Sequence, residues 1–237
     1  MLGLEPIGLV PLGLALLNLY ALVLVLARAW VFRTRLYRPM VLNLALSVAP
    51  VVVLVATFVT LLVVVTVAPS RGTVFAVVGV GGLVWLLLLP NAAYLLTELN
   101  FSHRREDDPV PLWYDIVLVL TLAVSGVLNA LTNVVLAQLM YVAVVRPNAA
   151  APFDAPDSWV MAGLTLLLVS FGIYLGRYVR FNSWDLLHPA SFVRKLVRHV
   201  REPGRARTIV AFCVMHTALF AFLYLVVVAP VVLLVTQ

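Results

Sequence analysis

Residues 40–68 read MVLNLALSVAPVVVLVATFVTLLVVVTVA, an apolar run without a single charged side chain. A helix needs about 20 apolar residues to cross the hydrocarbon core of a bilayer, and this run exceeds that length. Pro50 inside it removes one backbone hydrogen bond, which predicts a kink at that depth. Further apolar runs lie at about 4–27, 73–90, 113–143, 159–178 and 208–235. Together they give six spans and leave no room for a sizeable soluble domain. The expected fold class is therefore an all-α polytopic membrane protein. It should form one integral membrane domain over residues 1–237, with a basic amphipathic surface helix before the last span.

The composition agrees. The chain has 237 residues, 64% hydrophobic and 11% charged, whereas soluble domains are about 45–50% apolar and about 25% charged. A water-soluble enzyme or DNA-binding module is excluded on that ground. The net charge of +6 comes from 16 basic against 10 acidic residues, with Lys195 the only lysine. These charges cluster beside spans, where anionic lipid head groups rather than nucleic acid are the expected partner. Protein partners are not legible. Cys213 is the single cysteine, so no intrachain disulfide can form, and no metal or cofactor is expected.

Orientation follows from the basic residues of alternate loops. They split fourteen to two: Arg28 to Arg38, Arg104 with Arg105, and Arg177 to Arg207 on one side, only Arg71 and Arg146 on the other. The positive-inside rule then puts the basic loops in the cytoplasm of a bacterial inner membrane, with both termini outside. Glu5 precedes the first run and no basic segment does, which favours an uncleaved first helix over a signal peptide. The fourth run is longer than one crossing needs, which predicts tilt or a projecting end.

In the last basic loop, Phe192, Val193, Leu196, Val197 and Val200 recur at helical spacing, with Arg194, Lys195, Arg198, His199 and Arg201 on the remaining face. Pro189 and Pro203-Gly204 suit the start and end of a helix over 191–201. It should lie on the membrane surface, as a connector or as a reader of anionic head groups.

Polar residues at the edge of a bilayer are costly and normally have partners. Three segments deliver them to the basic side. Asn91, Tyr94, Thr97 and Glu98 close the third span, and Trp113, Tyr114 and Asp115 open the fourth. Tyr174, Arg177, Arg180, Asn182, Ser183, Trp184 and Asp185 follow the fifth. If helical, Asn91, Tyr94 and Glu98 share one face. Gly172 and Gly176 form a G-x-x-x-G pair that admits a close neighbour, which would bring Arg177 and Arg180 within reach of Glu98 or Asp115. Trp113 and Trp184 suit the head-group level.

These same stretches carry a resemblance. Leu89-Pro90-Asn91-Ala92-Ala93-Tyr94, Thr97-Glu98-Leu99, Trp113-Tyr114-Asp115 and the run from Gly172-Ile173-Tyr174-Leu175-Gly176-Arg177 to Trp184-Asp185 resemble the motifs of an uncharacterised bacterial membrane-protein family. It is catalogued as domain of unknown function 1361. Ala93 stands where that family usually has a second proline, and Glu98 where it usually has Asp. The resemblance implies a shared polar constellation but no activity.

Three readings of the constellation follow. It binds or transports a small anion or anionic lipid head group, with Arg177 and Arg180 as contacts, Glu98 and Asp115 orienting them, and Trp113 and Trp184 as walls. Alternatively, a membrane enzyme acts on a lipid-linked substrate through Glu98, Asp115 or Asp185. In the third, the charges only staple the helix ends of a structural subunit. The motifs H-E-x-x-H, C-x-x-C, G-x-x-x-x-G-K-[ST] and G-x-S-x-G are all missing, so zinc proteolysis, thiol redox chemistry, nucleotide-driven pumping and elbow-serine hydrolysis lack their usual parts. Asn18, Asn129, Thr132, Asn133 and His216 read as packing and interhelical hydrogen-bonding residues. His103 with Glu106, Asp107 and Asp108 reads as a solvated loop.

Overall fold

Inside a bilayer every backbone N–H and C=O must find its partner within the protein, which forces apolar runs into helices. The computed structural model describes residues 6–67, 70–100, 109–146, 155–179, 189–228 and 230. Its α-helices are α1 (Pro6–Val31), α2 (Arg38–Val67), α3 (Arg71–Leu88), α4 (Leu112–Val145), α5 (Pro156–Tyr174), α6 (Pro189–Val200) and α7 (Arg205–Leu223). All but α6 belong to segments long and apolar enough to cross a membrane, six in total. The expected all-α bundle of six spans is the observed one. Most boundaries fall within a few residues of those read from the apolar runs, and α2 continues through Pro50.

α4 is the hub. It packs against α1, α2 and α5, while α3 lies on α2 and α7 on α5. The outer helices turn Leu, Val and Phe outward, as at Leu16, Val59, Phe75 and Phe222. Lipid is as apolar as these side chains, so hydrophobicity alone cannot sort inside from outside here. Polarity does the sorting instead: α4 buries Asp115, Ser125, Asn129, Asn133 and Gln138.

Each of these finds a partner, step by step along α4. Asn129 and Asn18 of α1 exchange amide hydrogen bonds at 3.0 and 3.1 Å. Ser125 donates to Asn18 at 2.9 Å, and Asn129 also donates to Ser47 of α2 at 3.0 Å. Trp85 Nε1 of α3 donates to Asn133 Oδ1 at 2.9 Å. Gln138 donates to Ser158 of α5 and accepts from Tyr224 just beyond α7. At the far end, Asp157 accepts from Tyr141 at 2.8 Å and from Arg146 at 3.0 Å. The interhelical reading of Asn18, Asn129 and Asn133 therefore has its partners. Thr132 bonds only back to Leu128 O of its own helix. His216 hydrogen-bonds Phe212 O and stacks on the Phe212 ring at 3.8 Å.

Candidate functional site

The basic end of the bundle is shaped by how α3 and α5 stop. Pro90 lacks an N–H and cannot continue the α3 ladder. The chain tightens into a 3₁₀ turn, Leu89–Asn91, and then a 3₁₀ segment, Tyr94–Asn100. So the helix breaks here although only one proline is present. α5 ends oppositely, widening into a π-helical turn over Leu175–Val179. The two ends are pressed together through the glycine pair. A Cβ on Gly172 would come within 2.7 Å of Pro90 Cα, and one on Gly176 within 2.8 Å of the Tyr94 ring. The G-x-x-x-G neighbour is thus the segment Pro90–Tyr94, and nothing larger than glycine fits at either contact.

The 3₁₀ geometry corrects one expectation. In an α-helix Tyr94 and Glu98 would be only about 40° apart, but at three residues per turn they are roughly 120° apart. Tyr94 therefore faces Gly176 on the π turn after α5, while Glu98 turns toward α2. There Asn43 Nδ2 donates to Glu98 Oε1 at 3.1 Å. Glu98 is 5% exposed, and its Oε2 is buried without a hydrogen-bond partner among the described residues. Arg177 is exposed on the π turn, near enough for its charge to act on the Glu98 carboxyl, but the two form no ion pair. Asn91 bonds back to Leu88 O at 3.0 Å.

Asp115 does not join this group. It is fully buried, and Arg28 Nε of α1 donates to its Oδ1 at 2.8 Å, with Nη2 3.5 Å from Oδ2. Arg28, itself 6% exposed, was counted above as a loop charge. Helical spacing carried the missed signal: Arg28 lies three, four and seven residues after Val25, Leu24 and Ala21, which form the buried face of α1. Beside the pair, Tyr114 donates to Leu24 O at 2.8 Å. Asn43 was missed too, although a lone Asn in an apolar run is itself a sign of an interhelical partner. Trp113 is 64% exposed and stands edge-on to Tyr114. Arg180, Asn182, Ser183, Trp184 and Asp185 lie outside the described residues, as does the loop His103 to Asp108. Among the described residues, no three His, Cys, Asp or Glu side chains gather to hold a metal ion.

Surface helix α6 is docked beside this end. His199 Nε2 lies 2.9 Å from the Tyr174 hydroxyl, and Phe192 and Leu196 pack on the cluster of Tyr174, Leu175 and Val179. Tyr174 in turn stacks on Tyr178 at 4.8 Å.

Six membrane-length helices with the polar α4 at their centre, closed at the basic end by two irregular helix termini, define a polytopic helical membrane protein. The family model described as protein of unknown function (DUF1361) matches residues 42–226, and the chain belongs to that family. No curated protein and no solved structure matches it.

Proposed function

We propose that this protein binds a small anion or anionic lipid head group at the basic end of the bundle, with Arg177 as the anion contact. The observation that carries the reading is the pairing of opposites around Glu98. A buried carboxylate oxygen lacks a donor, and an exposed guanidinium close by lacks an ion-pair partner among the described residues. Leaving a buried polar atom unsatisfied costs about 1–3 kcal/mol, more for a charged group. A ligand with an anionic group for Arg177 and a hydroxyl or amine donor for Glu98 relieves both deficits at once. Asn43 holds Glu98 from the other side, and Tyr94 against Gly176 fixes the turn that presents Arg177. With Arg28 set aside as a buried partner of Asp115, the loop charges still split thirteen to two, which supports a cytoplasmic location for this end, in a bacterial inner membrane.

A purely structural role fits Arg28 and Asp115 better than Glu98 and Arg177, because only the former pair is closed. The same pairing weakens the enzymatic reading. Of the carboxylates that acid–base chemistry would draw on, Asp115 is held by Arg28, and Asp185 lies outside the described residues.

Native mass spectrometry of the protein released from lipid particles tests the proposal, alongside Arg177→Ala and a thermal melt of each. A discrete phosphate- or carboxylate-bearing adduct on wild type, lost from a variant that melts normally, is the expected result. No adduct on wild type, or one retained by Arg177→Ala, overturns it.

A further inference from the structure

Helix α6 presents three faces rather than two. At roughly 100° per residue, Phe192, Lys195, Leu196 and His199 fall on one side, and these four are half-buried against the bundle. Val193, Val197 and Val200 fall on a second side and are exposed. Arg194 and Arg198 fall on the third, followed on the same side by Arg201 just past the last turn, and all three are exposed as well. The helix contains no acidic residue. Its docked side is fixed by the Tyr174–His199 contact and by Phe192 and Leu196. The valine strip and the arginine row therefore stay free together, side by side.

We infer that these two free faces form a binding surface for anionic phospholipid. The valines would enter the acyl boundary while Arg194, Arg198 and Arg201 meet the phosphate level. Two observations select this occupant. The helix joins α5 to α7, both of membrane length, so it is tethered where the bundle meets the head groups. The apolar strip also borders an all-basic row, which matches the layered chemistry of an acidic lipid surface and disfavours a zwitterionic one. Each arginine near such a surface strengthens adsorption about five-fold, and three together on the order of a hundred-fold. Because Tyr174 lies one turn before Arg177, lipids collected by α6 are held beside the Glu98–Arg177 end. The inference nevertheless stands on α6 alone and does not require that site to bind a ligand.

The test uses the full chain in nanodiscs. A spin label is placed at Val197→Cys in a Cys213→Ala background, and its collisions with oxygen and with a water-soluble nickel chelate are compared. In discs containing phosphatidylglycerol the label is expected to be oxygen-exposed and nickel-shielded. That signature should be lost in phosphatidylcholine discs, and lost again in the anionic discs on Arg194→Gln, Arg198→Gln and Arg201→Gln together. If the triple variant melts abnormally, high salt on the unmutated row gives the same reading, because it screens the arginines. A label reached by nickel in both lipids overturns the inference and leaves the face to a protein partner. Equal shielding in both lipids overturns it too, since adsorption would then be apolar only.

Discussion

Removing Arg28 should be among the most damaging single changes in the protein, and removing its partner should hurt less. Arg28→Met takes from Asp115, which has no exposed surface, the guanidinium that holds its carboxylate. Breaking a buried pair in this way costs about 3–5 kcal/mol. Asp115 sits in the first turn of α4, where the helix N-terminus returns up to about 1 kcal/mol to a negative charge, so the low end of the range is expected. Asp115→Leu frees a longer cation. Arg28 has Thr34 Oγ1 within 3.4 Å of Nη1 and can extend its head group toward the interface, so a loss of about 2 kcal/mol is expected. The double variant Arg28→Met with Asp115→Leu should return to within about 1 kcal/mol of wild type, because well-packed apolar pairs replace buried ion pairs at little cost. Thermal melts of the four proteins in one lipid close the cycle, with the Arg28→Met drop on the order of 10 °C. Additive losses in the double variant, or an Arg28→Met protein that melts like wild type, would refute the argument.

Other expectations follow from the same geometry. Gly172→Ala drives a methyl into Pro90 and should cost about 1–3 kcal/mol, whereas Gly163→Ala meets nothing within 4 Å and should be neutral or slightly stabilising by melt. Asn129→Leu deletes the amide that joins Asn18 to Ser47 and should cost about 1–2 kcal/mol by the same assay, in line with hydrogen bonds between membrane helices. Tyr174→Phe removes the His199 contact at a cost of about 1 kcal/mol. Hydrogen exchange should then speed up across residues 189–200 with α5 unchanged, and equal acceleration in both segments would count against the docking described for α6.

The six spans were legible because bilayer thickness acts on composition alone, and runs such as 40–68 can satisfy it in one way only. A helix at Pro189–Val200 was legible too, from Pro189 to its apolar spacing. The site was only partly so. Glu98, Tyr94 and Arg177 stood out as polar residues near span ends, but their mutual geometry depends on the 3₁₀ rotation after Pro90, which i+3 and i+4 spacing cannot reveal. Arg28 was hidden by its neighbours Arg33, Arg35 and Arg38, since a charge count treats all four alike. What separates it is the buried face of α1 one and two turns earlier. Asp115 was correctly seen to need a cation, but tertiary packing rather than motif adjacency chose which one.

The hub position of α4 also bears on how the chain enters the membrane. Its apolar character is the weaker, with a mean hydropathy of 1.9 against 2.9 for α2, because Asp115, Asn129 and Asn133 are costly in bare lipid. Arg28, Asn18, Ser47 and Trp85, which pair with these three, lie on helices that precede α4. By the time the ribosome delivers the least lipid-soluble part of α4, the groups that neutralise it have already emerged. Gln138 and Tyr141, near the end of α4, wait for later segments. Chain order thus lets each buried polar group meet its partner as it arrives, and moving α1 to the far end of the sequence would strand Asp115 and Asn129 during insertion without altering one contact of the finished bundle.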